Sequence, residues 1–376
     1  MPRRRGWSGQ PWRGGGTGLT VRLRLRRDAW TRGAWLLATL ALAWGAARAC
    51  EALGTPLPWM IGPLMATAVA ALAGLPVRSA PLLRNVGQWT IGTALGLYFT
   101  PQVVALLPGL APVILAAVVW ALLLGYGFYR WLWWAQGAQP GMKRETAFFA
   151  AAIGGASEMA LMADRRGARV DLVAASHSLR LMLVVMTIPF ALQWSGVHGT
   201  DPSLPGASEF RLEGLLQLMA LTALGMAGVR ALGGPNPWVL GSLLVSIGLT
   251  AFDVQLTAFP KPLSSAGQLF IGVALGVRFT PDFVRAAPRW LAAVALGTVG
   301  MIVASALFAA ALAGLTGLNP ATLVLGTSPG GIAEMCITAK VLQLGVPTVT
   351  ALHVIRFVMV LMVTERLWRW EARRLE

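Results

Sequence analysis

Charge is what this sequence has little of. Its 31 basic and 15 acidic residues make up 12% of 376, about half the share of an average soluble protein. A soluble chain of this length would split into two or three cores, each needing a charged surface. The supply is too small for that, and apolar residues reach 56%. An ordinary soluble globular protein is therefore excluded, and a polytopic membrane protein remains. Cysteine is scarce too. Cys50 and Cys336 alone imply neither a disulfide framework nor a thiolate metal cluster.

What is present is a succession of apolar stretches with no soluble domain between them. They run over 34–50, 57–75, 86–98, 110–134, 146–163 and 170–194, then 212–232, 237–252, 266–277, 289–316, 321–340 and 346–368. The stretches at 86–98 and 266–277 are short. Those at 146–163 and 321–340 are weakly apolar and hold glycine pairs.

The formal net charge of +16 is unevenly placed, since residues 1–32 hold nine arginines against Asp28. An Arg-rich segment can neutralise phosphates as a nucleic-acid arm. The stretch before Trp30 has no periodic core pattern, so the expectation is a disordered basic leader over 1–32. It would follow the positive-inside rule and touch anionic lipid, with nucleic acid not expected as a partner. Its length and the lack of a nearby small-residue cleavage site argue against a plain secretory signal.

The two halves repeat. Pro58-Trp59-Met60-Ile61-Gly62 returns as Pro237-Trp238-Val239-Leu240-Gly241. The fifteen residues from Gly87 to Pro101 return from Gly267 to Pro281 with ten identities, among them Gln88/Gln268 and the closing Phe-Thr-Pro. Gly154-Gly155-Ala156-Ser157-Glu158-Met159 returns as Gly330-Gly331-Ile332-Ala333-Glu334-Met335. His177-x-x-Arg180 returns as His353-x-x-Arg356, with a Glu-to-His separation of 19 in both halves. Four ordered matches mark a duplication: repeat 1 over 33–195, a non-cytoplasmic linker over 196–211, repeat 2 over 212–370 and a tail over 371–376.

Charge then selects the topology. If every stretch crossed, the Arg165/Arg166/Arg169 loop and the 278–289 cluster would both lie outside, against the positive-inside rule. If the two glycine-pair segments enter and leave on one side, each half has five crossings and the halves are inverted. With the N-terminus inside, Arg78, Arg84, Arg130, Lys143, Arg144, the 165–169 and 278–289 clusters, Arg230 and the C-terminal arginines all fall inside. Lys261 and Lys340 are left as exceptions. The fold predicted is all-α and polytopic, with two inverted repeats of about five transmembrane helices and paired broken or re-entrant Gly-Gly segments.

Glycine pairs permit close backbone approach and non-helical dihedrals. Irregular backbone at membrane depth survives only inside protein or against a wet cavity, and paired broken segments in an inverted repeat point to a central site. Gly154, Gly155, Gly330 and Gly331 are therefore site candidates, with tight helix packing as the plainer alternative. Glu158 and Glu334 follow them. A charge inserted in a membrane costs at least ~2.5–3.5 kcal/mol, so each is expected to face a cavity or a partner, with Arg180 and Arg356 as natural partners. Such a carboxylate could carry a proton or Na⁺, or simply tie the halves together by an ion pair. His177/Arg180 and His353/Arg356 share helical faces and could hold an anionic solute, or the histidines could relay protons. Ser157, Ser176, Thr327 and Ser328 could add oxygen ligands. Gly92/Gly96 and Gly272/Gly276 fit small-xxx-small packing, while Gln88 and Gln268 could reach a cavity. The Pro-Trp pairs read as interfacial helix starts with Trp at headgroup level.

These duplicated motifs together resemble the bacterial membrane AbrB duplication family, over nearly all of residues 35–370. Its members carry labels such as ammonia monooxygenase or regulator of gene expression. A copper oxygenase needs clustered nitrogen ligands, whereas His177, His198 and His353 stand in three separate places. A DNA-reading regulator needs a soluble reading element, and only the basic leader is available. The expectation is a non-enzymatic inner-membrane secondary transporter without a cofactor, both termini cytoplasmic. It would move a small anionic solute coupled to H⁺ or Na⁺, with the lipid bilayer and a second copy of the chain as partners. The rival is a membrane-embedded regulator acting by sensing or through a transported solute.

Overall fold

A computed structural model describes residues 18–197, 199 and 209–374, with only the backbone described for 18–30 and 286. Among the described residues the chain is helical and has no strand. Six helices among the described residues are long and apolar enough to cross a membrane. The all-α polytopic membrane fold expected from composition is the fold that forms.

The first half contains α1 (Gly18–Ala52), α2 (Pro58–Leu72), α3 (Pro81–Gly96), α4 (Pro101–Leu106), α5 (Ala111–Gln136), α6 (Arg144–Ala151), α7 (Ala156–Arg165) and α8 (Val170–Trp194). The second contains α9 (Leu212–Ala231), α10 (Pro237–Ala251), α11 (Lys261–Gly276), α12 (Pro281–Ala286), α13 (Pro288–Thr316), α14 (Pro320–Thr327), α15 (Ile332–Leu342) and α16 (Val346–Arg373). One expectation needs correction. Residues 18–32 of the leader are not disordered but form the start of α1. Between Leu19 and Arg32 the chain has no Gly or Pro and is dominated by Leu and Arg, both good helix formers. Residues 1–17, residues 198 and 200–208 of the expected linker, and 375–376 lie outside the described residues.

The repeated motifs have local causes. In Phe-Thr-Pro the threonine is an N-cap and the proline opens the helix: Thr100 accepts from the Val103 amide and Thr280 from the Phe283 amide. The Pro-Trp motifs start α2 and α10 after a left-handed residue, Leu57 or Asn236.

The small-xxx-small glycines pack reciprocally. A Cβ on Gly92 of α3 would lie 2.7 Å from the Val239 carbonyl oxygen of α10, and one on Gly96 would lie 2.8 Å from that of Leu243. On α11, Gly272 meets the Met60 carbonyl of α2 at 2.5 Å and Gly276 meets that of Leu64 at 2.5 Å. Gly87 and Gly267 face each other's backbone where α3 and α11 cross. The first part of α3 lies beside the last part of α11, with Arg84 near Arg278. The end of α3 lies near the start of α11, through Tyr98, Lys340 and Lys261. These two helices therefore run in opposite directions.

α1, α2, α3, α9, α10 and α11 form one bundle, and α5–α8 with α13–α16 form another. On one side of the molecule the bundles meet along an apolar seam. There Leu57, Met60, Ile61 and Leu64 share a core with Val184, Ile188, Met335 and Leu342.

Each glycine pair breaks a helix and turns the chain back. At its base the Arg169 amide donates to Thr146 Oγ1 (3.0 Å) and Lys143 Nζ donates to the Gly167 carbonyl (2.7 Å). The chain thus goes in on α6 and returns on α7 to the level at which it entered. α14 and α15 do the same, with Gly345 back beside Thr322. The two hairpins start at opposite ends of α8: Arg169 adjoins the base of the first, while the Gly199 amide just beyond α8 donates to the Leu342 carbonyl in the second (3.0 Å). Eight residues of α6 or α14 give about 12 Å of helix. That is less than half of what a ~30 Å hydrocarbon core requires.

Candidate functional site

A helix that stops inside a membrane leaves its last carbonyls without partners. Here one arginine on the neighbouring long helix supplies them. Arg180 of α8 donates to the carbonyls of Ala150 (3.4 Å), Ala151 (3.2 Å) and Ala152 (3.0 Å), which end α6. Arg356 of α16 donates to those of Ser328 and Gly330 (2.9 Å for the latter), which follow α14. Each positive charge also faces the negative end of a helix dipole.

The histidines complete these networks. His177 Nε2 lies 3.0 Å from the Phe149 carbonyl and Nδ1 lies 2.8 Å from Arg180 Nη2. A carbonyl can only accept and a guanidinium can only donate, so the proton is assigned to Nε2 and Nδ1 is an acceptor. His353 repeats the arrangement with Leu325 (2.8 Å) and Arg356 (2.9 Å). Spacing alone suggested Glu–Arg pairs. Among the described residues neither Glu158 nor Glu334 has an ion pair, because both arginines are turned to backbone oxygen.

The glutamates lie at the starts of the return helices. Both α7 and α15 begin at a glycine, Gly155 or Gly331, with no side-chain cap, and each has its glutamate at the third helical position. There a carboxylate folds back over the helix start and faces its positive end. The glycines make this possible through space rather than dihedral freedom. Gly155 and Gly331 are both extended, at φ −67° and −83°, which any residue adopts. A Cβ on Gly155 would sit 2.9 Å from Glu158 Cδ and 2.9 Å from Phe357 of α16. On Gly331 it would sit 3.0 Å from Glu334 Cδ and 3.3 Å from Leu181 of α8. Each tip thus packs against the long helix of the opposite half.

Both tips border one cavity of about 570 Å³ between the bundles. Of the candidates, Gly154, Gly155, Gly330, Gly331, Glu158, Glu334, His177, Arg180, Arg356 and Gln88 line it. His353 and Gln268 do not. His353 is fully buried behind Arg356, and Gln268 lies half-buried on α11. Ser157 lines the cavity as well, but the other hydroxyls face backbone: Ser176 donates to Ala150, Thr327 to Leu323 and Ser328 to Leu325. Trp238 is part of the cavity wall, and Trp59 packs by Leu269 and Val273.

Three further arginines line the cavity, Arg84, Arg230 and Arg278, together with Asn85 and Asn236. Sequence reasoning used these arginines only as markers of membrane side. One signal was available, since Arg278 replaces Tyr98 within a motif identical at ten of its fifteen positions. Arg278 donates to Ser178 Oγ (3.0 Å), and burial, then the neighbouring Arg84, push its guanidinium below the usual arginine range. Among the described residues Arg84 Nε is buried without a hydrogen-bond partner. The lining therefore sets five arginines against two glutamates, with two uncapped helix starts directed into the space. That is a surface suited to a small anion.

The family described as "Transition state regulatory protein AbrB" matches residues 59–372. A similar protein is "Uncharacterized protein YhjN" of Bacillus subtilis (strain 168), 27% identical over 336 residues, covering 82% of this chain and 85% of the relative. Another is "Putative regulator AbrB" of Escherichia coli (strain K12), 21% identical over 310 residues, covering 82% of this chain and 88% of the relative. None of these names specifies a chemistry.

Proposed function

Taking as premise that the chain belongs to this AbrB family of helical membrane proteins, we propose that it is a secondary transporter of a small anionic solute, coupled to H⁺ or Na⁺ through Glu158 and Glu334. One observation carries the reading: two helical hairpins from opposite ends of α8 bring duplicated Gly-Gly-x-x-Glu tips to a single cavity. The halves are inverted repeats of five crossings each, a reading supported by the opposed α3 and α11 and by the opposed hairpins. The cavity mouth faces the cytoplasm, because Arg84, Arg230, Arg278 and the 165–169 cluster share its side and positive residues favour that face. Both termini lie there too, and the membrane is the inner membrane.

In this reading the solute's carboxylate or phosphate oxygens meet Arg84, Arg278 and the amides at the starts of α7 and α15. Each glutamate is the resident anion at its helix start. Neutralising it with H⁺ or Na⁺ removes the repulsion that an incoming anion would meet, which couples the two fluxes. The test is uptake of citrate, succinate and inorganic phosphate by proteoliposomes under imposed proton or sodium gradients. Gradient-driven flux of at least one anion, lost in the E158Q/E334Q double variant, is the expected result. Unchanged gradient-driven flux in that variant overturns the coupling role. Absence of flux for all three anions overturns this solute class.

A further inference from the structure

The duplicated sequence is used unequally. Gln88, Arg84 and Arg278 line the open cavity. Their counterparts at the same repeat positions are Gln268, Ser264 and Tyr98, and none of them reaches it. Tyr98 lies on the opposite face, in the apolar seam where the bundles are closed, and Ser264 lies one turn after Lys261 at the start of α11. Ser264 and Tyr98 are 7% and 5% exposed, and among the described residues Ser264 Oγ is a buried hydroxyl without a hydrogen-bond partner.

The same face holds the two lysines that break the charge rule. Lys340, near the base of the second hairpin on α15, lies half-buried with its Nζ over the Tyr98 ring at 5.5 Å. Lys261, at the start of α11, is exposed and close enough to repel it. A lysine on the face that positive residues avoid works against orientation of the chain. Holding two there, one against an aromatic ring in a closed seam, calls for another cause.

We propose that this face contains a second anion-collecting vestibule, lined by Gln268, Ser264, Tyr98, Lys340 and Lys261, that opens when the cytoplasmic cavity closes. The proposal rests on the transport reading above. In the present arrangement Lys340 on Tyr98 bridges the hairpin bundle and the short-helix bundle and holds the seam shut. When the seam parts, the ring releases the ammonium. Lys340 and Lys261 then attract carboxylate or phosphate oxygens, and Gln268 takes the place that Gln88 has in the open cavity.

The test uses the full chain in a Cys50→Ser/Cys336→Ala background, in right-side-out vesicles, with a membrane-impermeant thiol reagent. Gln268→Cys is expected to label from outside, and Lys261→Cys reports that the face is accessible. Adding Lys340→Gln removes the ring contact. It should raise the Gln268→Cys rate about fivefold, while Gln88→Cys, probed in inverted vesicles, slows. External citrate or phosphate should protect Gln268→Cys, and less so with Lys340→Gln. Labelling of Lys261→Cys but never of Gln268→Cys, with or without Lys340→Gln, overturns the vestibule. Labelling that neither anion slows overturns its ligand class. Anion flux without Gln268→Cys labelling sinks the vestibule alone, whereas labelling without flux of any tested anion sinks the transport reading and leaves a vestibule that opens.

Discussion

Arg180 and Arg356 do work that spacing did not suggest. A half-helix ending inside a membrane needs donors for its last carbonyls, and a guanidinium offers several in one plane. Removing the side chain leaves buried acceptors unpaired at about 1–3 kcal/mol each. Arg180→Ala should therefore lower the midpoint of thermal unfolding in detergent by roughly 5 °C or more, followed by tryptophan fluorescence. Glu158→Gln, at a half-buried carboxylate with no ion pair, should stay within about 2 °C of the parent. The histidines belong to the same networks. His353→Leu strands both the Leu325 carbonyl and an Arg356 N–H. His353→Gln keeps a donor and an acceptor. Size-exclusion recovery after heating should fall well below the parent for the first and lie between the two for the second.

At the scale of helices, the glycines separate into those that touch backbone and those that do not. Gly92 and Gly272 each admit a facing helix to within contact of their own backbone. Gly92→Ala or Gly272→Ala must push α10 or α2 away, so each should destabilise by about 1–3 kcal/mol. Gly300 in α13 has nothing within 4 Å of a built Cβ. Gly300→Ala should be neutral or stabilising by up to about 1 kcal/mol, since alanine favours the helix. Equal losses at Gly300 and Gly92 would refute packing as the role of the motif. The hairpin glycines are a third kind, because they leave room for a carboxylate. Gly155→Ala and Gly331→Ala should reduce anion flux while leaving the oligomeric profile on size exclusion unchanged.

For the molecule as a whole, the side of the membrane follows from where basic residues gather. The first hairpin base, α5 and the end of α16 lie together, linked by Arg166–Glu365 (2.9 Å) and by Tyr126 and Tyr129 on Glu371. The end of α1 lies at the other side, where Gln193 near the end of α8 donates to the Gly54 carbonyl. Alkaline phosphatase, active only outside the inner membrane, should therefore be active when inserted between residues 200 and 208. It should be inactive when fused after Arg374. The reverse pattern would invert the molecule and place the cavity mouth outside.

Composition was sufficient to specify a helical membrane protein, because too few charges exist to cover soluble cores. The duplicated motifs picked out residues most of which line one cavity, since a repeat preserves a glycine pair, its glutamate and the His-x-x-Arg at one spacing whatever the loops do. The break in each hairpin was legible for the same reason. What each polar side chain faces was not. Glu158 and Arg180 are separated along the chain by a hairpin turn, and a linear pattern cannot say that Arg180 meets the carbonyls of 150–152 instead of a carboxylate. Nor could it separate Gln88 from Gln268, which are alike in the two halves, or say that the departures Arg84 for Ser264 and Arg278 for Tyr98 both enter the cavity. Only the tertiary structure places a cavity between the bundles on one side and an apolar seam on the other, because that depends on which side chains meet across the two bundles.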